Sequence, residues 1–159
     1  MKTTQIRPIA ICVFRRDDRI FVFEGYDYVK DQIFYRPLGG GLEFGEHSRD
    51  ALVREVREEI GQDVVNLRFL GAVENVFVCN AKPGHEIVMV YEGNFADPAM
   101  YERESLEGAE DNGERFKAMW MPLQHFRDGL SPLYPDGLLD LLTKTDHHRK
   151  ARRERRGIP

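Results

Sequence analysis

The segment that most constrains this chain is residues 39–61, where three consecutive glycines precede a run of strong helix formers. Residues 48–60 are predicted to form a helix, because Ser48 is a suitable N-cap and Gly61 can adopt the left-handed conformation that ends a helix. The glycines allow the backbone before the helix to approach another group closely. The sequence therefore predicts a rigid helix that follows a backbone segment without side chains.

Three glutamates of this helix lie on one side. At about 100° per residue, Glu55, Glu58 and Glu59 fall within an arc of about 100°, beside the apolar face. The apolar face contains Leu52, Val53, Val56 and Ile60. Crowded like charges repel, and burial raises the pKa of a carboxyl group, so this arrangement is costly unless a divalent cation such as Mg²⁺ binds there. The alternative is a solvated face with ion pairs such as Arg54 with Glu58.

The spacing around the helix favours metal binding over a solvated, ion-paired face. The fixed positions read Gly40-x5-Glu46-x7-Arg54-Glu55-Val56-x-Glu58-Glu59-x-Gly61. This pattern resembles the Nudix box, and all seven of its fixed residues match. Two positions depart from the family pattern: Gln62 replaces a bulky aliphatic residue, and Leu38 replaces the proline that usually precedes the glycine pair. Both departures lie in the segments that flank the motif and leave its acidic residues unchanged.

The resemblance implies an α/β fold, a Nudix-type α/β/α sandwich with a mixed central sheet and a loop–helix–loop catalytic motif. Short apolar runs independently predict strands at 8–14, 20–23, 33–36, 67–79, 86–95 and 116–121 and a closing helix at 136–142. The unbroken apolar core of 86–95 indicates burial on both faces of the sheet. We predict a Nudix hydrolase domain over residues 1–143 and a basic tail over 144–159 that extends the last helix into solvent.

The resemblance also implies a chemistry, which is hydrolysis of the phosphoanhydride bond in a nucleoside diphosphate linked to another group. Nucleoside triphosphates and nucleotide sugars are the expected substrate classes, with water attacking phosphorus. Mg²⁺ is the expected cofactor, and Mn²⁺ a substitute. Glu55 and Glu59 are expected to ligate the metal directly, and Gly40 to add its carbonyl oxygen. Glu58 is expected to bind a further ion or to accept the proton of the attacking water.

Three more residues are candidates around this centre. Arg54 is expected to orient the carboxylates, and Glu46 to pair with Arg54 or lie near a metal; a structural role suits both at least as well. The Nudix box does not specify the general base. In some relatives a glutamate on a loop before the last strand has this role, and here Glu114, six residues before Trp120, is the candidate. The alternative for Glu114 is a solvated acidic loop.

Charge and composition limit the classes of molecule that this protein is expected to bind. The formal net charge is −4, but residues 144–159 contain seven Lys/Arg and two Asp/Glu and therefore carry +5, which leaves −9 for the remainder. An acidic body disfavours nucleic-acid binding, so a small nucleotide-like substrate is expected. The apolar runs are too short to cross a bilayer, and the N-terminal run at 9–14 is flanked by arginines, unlike a signal peptide. Cys12 and Cys79 are expected to be buried reduced thiols, and a cytoplasmic enzyme is predicted.

Other functions stay open at this level. One is a catalytically silent Nudix-fold sensor that binds a nucleotide and acts through its basic tail, and another is a helix whose acids bind a structural divalent ion. The presence of Glu55, Glu58 and Glu59 favours the enzyme, because a site that has lost its activity has no physical reason to keep crowded carboxylates. Homodimerisation is common for this fold, although no segment specifies an interface.

Overall fold

The computed structural model describes residues 4–159, so the first three residues of the predicted domain lie outside the described part. Within that range, eight strands are β1 (Arg7–Arg16), β2 (Arg19–Asp27), β3 (Gln32–Arg36), β4 (Leu38–Gly41), β5 (Val64–Cys79), β6 (Lys82–Phe95), β7 (Ser105–Ala109) and β8 (Arg115–Pro122). The α-helices are α1 (Ser48–Ile60), α2 (Leu123–Arg127) and α3 (Leu138–Arg155), with a 3₁₀ turn at Pro98–Tyr101. Every strand and helix predicted from the sequence is present.

The strands form one sheet in the order β5-β6-β1-β2-β8-β7, with β3 paired to β2 and β4 paired to β1. The neighbours β1 and β6 are parallel, whereas the other pairs are antiparallel. The predicted mixed sheet is therefore confirmed. The pairing of β4 with β1 brings the glycine segment alongside the most buried strand of the protein.

Alternate residues of β1 face two separate hydrophobic clusters. Ile9, Ile11 and Val13 pack in the same cluster as Leu138 and Leu142 of α3. The residues between them pack in the other cluster, which contains Ala10, Cys12, Phe14, Leu52 and Val56. Because side chains alternate along a strand, β1 can hold α1 on one face and α3 on the other. This arrangement is the predicted α/β/α sandwich.

Three local predictions are wrong. Ser48 is not the N-cap of α1: His47 occupies that position without a side-chain capping bond, and the Ser48 hydroxyl instead shares a 2.6 Å hydrogen bond with the hydroxyl of Tyr91. Strand β6 is not covered on both faces along its whole length, since Ile87 is 37% exposed. Cys79 is only partly buried, because it lies next to the β5–β6 turn, whereas Cys12 is fully buried and its pKa is raised by desolvation.

Helix α3 continues through most of the segment predicted as a basic tail. Its Arg149 donates a 2.6 Å hydrogen bond to Glu92, and Asp146 lies 3.1 Å from Arg15. Residues 150–159 are exposed. The first turns of the tail are therefore attached to the sheet, and the domain boundary at residue 143 stays a prediction. Within residues 4–159, no helix is both long enough and apolar enough to cross a membrane.

Removal of the residues after Thr145 is expected to leave turnover nearly unchanged. The deleted segment includes no core residue, and its loss removes only partly exposed ion pairs, so the free energy of unfolding should fall by at most about 1–2 kcal/mol. Steady-state kinetics and a thermal melt of the truncated protein test this expectation. A more than tenfold loss of turnover at an unchanged melting temperature would show that the tail belongs to the active site.

Candidate active site

The glycines of β4 permit two close approaches. Gly39 and Gly40 pair with Ile11 and Ala10 of β1. A Cβ atom on Gly39 would lie 2.0 Å from the Ala10 carbonyl oxygen, and one on Gly40 would lie 2.4 Å from the carboxyl carbon of Glu55. The strand is therefore held between β1 and the acidic face of α1, and a side chain at either position would displace one of them.

The three predicted carboxylates of α1 are buried to different extents. Glu55 and Glu59 are each 6% exposed, whereas the Glu58 side chain is 45% exposed. The buried pair results from the packing of Leu52 and Val56, which lie on the neighbouring side of α1, against the sheet. Glu58 and Glu59 also lie in the last turn of α1, where the helix dipole disfavours negative charge. The fold thus concentrates acidic groups at a position that is unfavourable for them.

Glu59 has the most strongly perturbed carboxyl group. Burial, followed by the charges of Glu110 and Glu55, raises its pKa to about 9, although the Gly39 backbone amide and Arg36 favour the charged form. Its Oε2 atom is buried without a hydrogen-bond partner. Burial likewise raises the pKa of Glu55, against the opposing effect of Arg54. A buried carboxylate oxygen without a hydrogen-bond partner is a group that could ligate a divalent cation.

Arg54 connects the acidic residues of the motif. Its Nε and Nη2 atoms donate to the two carboxylate oxygens of Glu46, each at 2.9 Å. Its Nη1 atom donates to Glu55 at 2.9 Å and to Glu58 at 3.2 Å, and Nη2 also donates to the Gly41 carbonyl at 3.1 Å. Hydrogen bonds from Arg54 lower the pKa of Glu46 to about 2. This single guanidinium fixes two of the three helix carboxylates and the loop before the helix.

The loop between β7 and β8 supplies further acids that the sequence did not single out. Asp111 places a carboxylate oxygen within 4.8 Å of those of Glu55 and Glu58. Glu110 is close enough to be the main charged group that raises the pKa of Glu59. Glu114 lies in the same turn, where its carbonyl accepts a 2.8 Å bond from the Glu110 amide. The density of acidic residues over 110–114 was the available signal, but it did not indicate which member reaches α1.

These groups together fit a hard divalent cation. Carboxylate oxygens from one rigid helix, a glycine backbone without side chains and an unpaired buried oxygen on Glu59 are the donors that Mg²⁺ prefers. A bound cation would also offset the repulsion between Glu55, Glu58 and Asp111. The cluster of carboxylates that could hold a metal contains two of the predicted residues, Glu55 and Glu58, together with Asp111, and does not include Glu59. The metal centre at Glu55, Glu58, Glu59 and Gly40 stays a prediction.

Comparison with known proteins gives concordant results. The NUDIX domain family matches residues 4–141. The NAD-capped RNA hydrolases NudC of Pseudomonas putida (strain W619) and Pseudomonas aeruginosa (strain LESB58) are 37% and 34% identical over 68 residues, which are 43% of this chain. The chain spans only 24% of the length of these curated relatives.

Solved structures share the fold at lower sequence identity. A NUDIX hydrolase from Nitrosomonas europaea has a TM-score of 0.63 at 20% identity, over 92% of this chain and 90% of that one. An ADP compounds hydrolase has a TM-score of 0.58 at 21% identity, over 92% of this chain and 76% of that one. With the family match over residues 4–141 and the acidic helix at its expected place, the chain belongs to the NUDIX domain family and has the fold of the Nudix hydrolases.

Proposed function

We propose that the protein is a Mg²⁺-dependent pyrophosphohydrolase that cleaves the phosphoanhydride bond of a nucleoside diphosphate linked to another group. Nucleoside triphosphates and nucleotide sugars are the proposed substrate classes. The observation that carries this proposal is the meeting of the α1 carboxylates with the β4 glycines, where Glu59 keeps a buried oxygen without a donor. A role in stability alone does not explain the unfavourable burial of the Glu59 carboxyl group, because an apolar side chain at that position would be more favourable.

In the proposed mechanism, Glu55 and Glu59 would hold the cation, and the Gly40 carbonyl would add a ligand. Mg²⁺, when bound, neutralises negative charge on the phosphoryl oxygens, and Mn²⁺ is the expected substitute. Arg54 keeps the Glu55 and Glu58 carboxylates oriented through its 2.9 Å and 3.2 Å bonds. It is proposed as a positioning residue because Glu46, Glu55, Glu58 and the Gly41 carbonyl already engage all three nitrogens of its guanidinium.

The proton of the attacking water needs an acceptor on the solvent side of the site. Glu58 meets this requirement, since its side chain is 45% exposed and lies beside the buried ligands. Glu114 stays the proposed alternative on the β7–β8 loop. Asp111 of the same loop joins them as a candidate, because its carboxylate lies within reach of Glu55 and Glu58. Exchange of each of these three residues for its amide would separate their roles.

The substrate is tested directly by a panel assay for phosphate or nucleotide release. The panel contains nucleoside triphosphates, nucleotide sugars, ADP-ribose, NADH and diadenosine polyphosphates, with and without Mg²⁺. NAD-capped RNA is included because the NudC relatives are named for it. We expect one class to turn over and the reaction to stop when EDTA removes the metal. Binding of nucleotide and Mg²⁺ without turnover of any compound would contradict the hydrolase and support the nucleotide sensor instead.

A further inference from the structure

A cavity of about 240 Å³ lies directly beside the acidic centre. The residues of its wall that matter here are Arg7, Arg36, Gly39, Gly40, Glu86 and Glu110. Four of them, Arg36, Gly39, Gly40 and Glu110, also contact or influence the helix carboxylates. The cavity is therefore continuous with the proposed catalytic centre, and it adds two arginines to a site in which carboxyl groups outnumber the single Arg54.

Both arginines lie close to the β4 glycines, and Arg36 is also held in place by its neighbours. Arg36, at the end of β3, has its guanidinium carbon 5.9 Å from the centre of the Phe23 ring and its Nη2 atom 3.6 Å from Glu86. Arg7, at the start of β1, has its Nη2 atom 3.6 Å from the position of a Cβ on Gly41. The aromatic ring and the Glu86 carboxylate restrict the Arg36 guanidinium, which lowers the entropy lost when it binds a ligand.

Glu86 does not satisfy these two arginines. It is 4% exposed and is the register partner of Arg7 in the parallel β1–β6 pair. Its Oε2 atom has no hydrogen-bond partner, because the nearest Arg36 nitrogen is 3.6 Å away. Each guanidinium has five N–H donors in a fork that matches carboxylate and phosphate oxygens. Glu86 thus positions Arg36. Glu110 also lies near both arginines, but two carboxyl groups cannot engage all the donors of two guanidinium groups, so donors of both stay available to the cavity.

We propose that Arg7 and Arg36 bind the second phosphoryl group of the substrate, the one that the α1 carboxylates do not hold through the cation. This inference rests on the proposed function and deepens it, since it assigns a diphosphate span to the site. One phosphoryl group lies at the α1 carboxylates and the next lies in the cavity between the two guanidinium groups. A neighbouring depression of about 520 Å³, which also contains Arg7 and Glu86, has room for the rest of the nucleotide.

A phosphate subsite formed by Arg7 and Arg36 predicts different affinities for ligands with one phosphate and ligands with two. In the turnover-deficient Glu58→Gln background with Mg²⁺ present, calorimetry should find ADP bound about tenfold or more tighter than AMP. Adding Arg36→Gln or Arg7→Gln should reduce this ratio to about threefold or less, with AMP affinity nearly unchanged. Arg127→Gln is the matched control, because Arg127 is an exposed residue of α2 outside both cavities, and it should keep the full ratio.

The same variants separate the subsite from the hydrolase proposal. On a substrate found in the panel, Arg36→Gln should raise KM about tenfold and change kcat by less than about threefold. Turnover by the wild type with an unchanged KM in both arginine variants would overturn the subsite alone. Absence of wild-type turnover would overturn the hydrolase, and the ADP-to-AMP ratio would still test the subsite. If Arg36→Gln does not fold, Arg36→Lys replaces it, since it keeps the charge and loses the fork.

Discussion

Glu59→Gln is expected to lower kcat/KM by at least about 10²-fold, which is about 2.7 kcal/mol of transition-state stabilisation. The same exchange should raise the melting temperature of the metal-free protein. Glu59 is 6% exposed, and burial raises its pKa to about 9. Folding of the metal-free protein at neutral pH therefore requires that this carboxyl group take up a proton, and the uncharged amide removes that cost. A residue that lowers stability and raises activity is typical of a functional site.

Two measurements are needed, a thermal melt with and without Mg²⁺ and steady-state kinetics. Mg²⁺ should raise the melting temperature of the wild type, because a ligand that binds only the folded state stabilises it, and this rise should largely disappear in Glu59→Gln. Asp50→Asn, on the exposed first turn of the same helix, is the matched control for the loss of one negative charge. A Glu59→Gln protein with wild-type kcat/KM and a wild-type response to Mg²⁺ would remove this residue from the metal centre.

Gly39→Ala is expected to cause the largest loss of stability, about 3 kcal/mol or more. The new Cβ would lie 2.0 Å from the carbonyl oxygen of Ala10, which belongs to the fully buried part of β1. The backbone of Gly39 also has a φ of +148°, a region that other residues rarely adopt. Neither β1 nor β4 can move without repacking the cluster that holds α1.

The control for Gly39→Ala is Gly45→Ala, in the loop before α1. Gly45 also has a positive φ, +82°, but a Cβ there has no atom within 4 Å. Its exchange should cost only about 1 kcal/mol, the conformational part of the penalty. Urea unfolding of both variants measures the difference. Equal losses of the free energy of unfolding would show that strain of φ, rather than contact with β1, explains the requirement for glycine at position 39.

The sequence predicted those parts of the protein that depend on neighbouring residues. The period of α1, its end at Gly61 and the common face of its three glutamates all follow from spacing along one segment. The order of most strands and helices was also predictable, because short apolar runs define them. Strands β4 and β7 were missed, since four residues that include three glycines, and five residues with one large apolar side chain, have weak strand propensity.

Only the tertiary structure determined which distant side chains meet the helix. Asp111 lies more than fifty residues after Glu58, and which acid of the 110–114 turn approaches α1 depends on the register of β7 with β8. Arg7 and Glu86 lie side by side because β6 pairs in parallel with β1, and Arg36 reaches the same cavity from β3, which pairs with β2. A one-residue change of register would turn these side chains to the other face of the sheet. The sequence by itself therefore determined the acidic helix and its chemistry, whereas strand pairing decided which groups surround it.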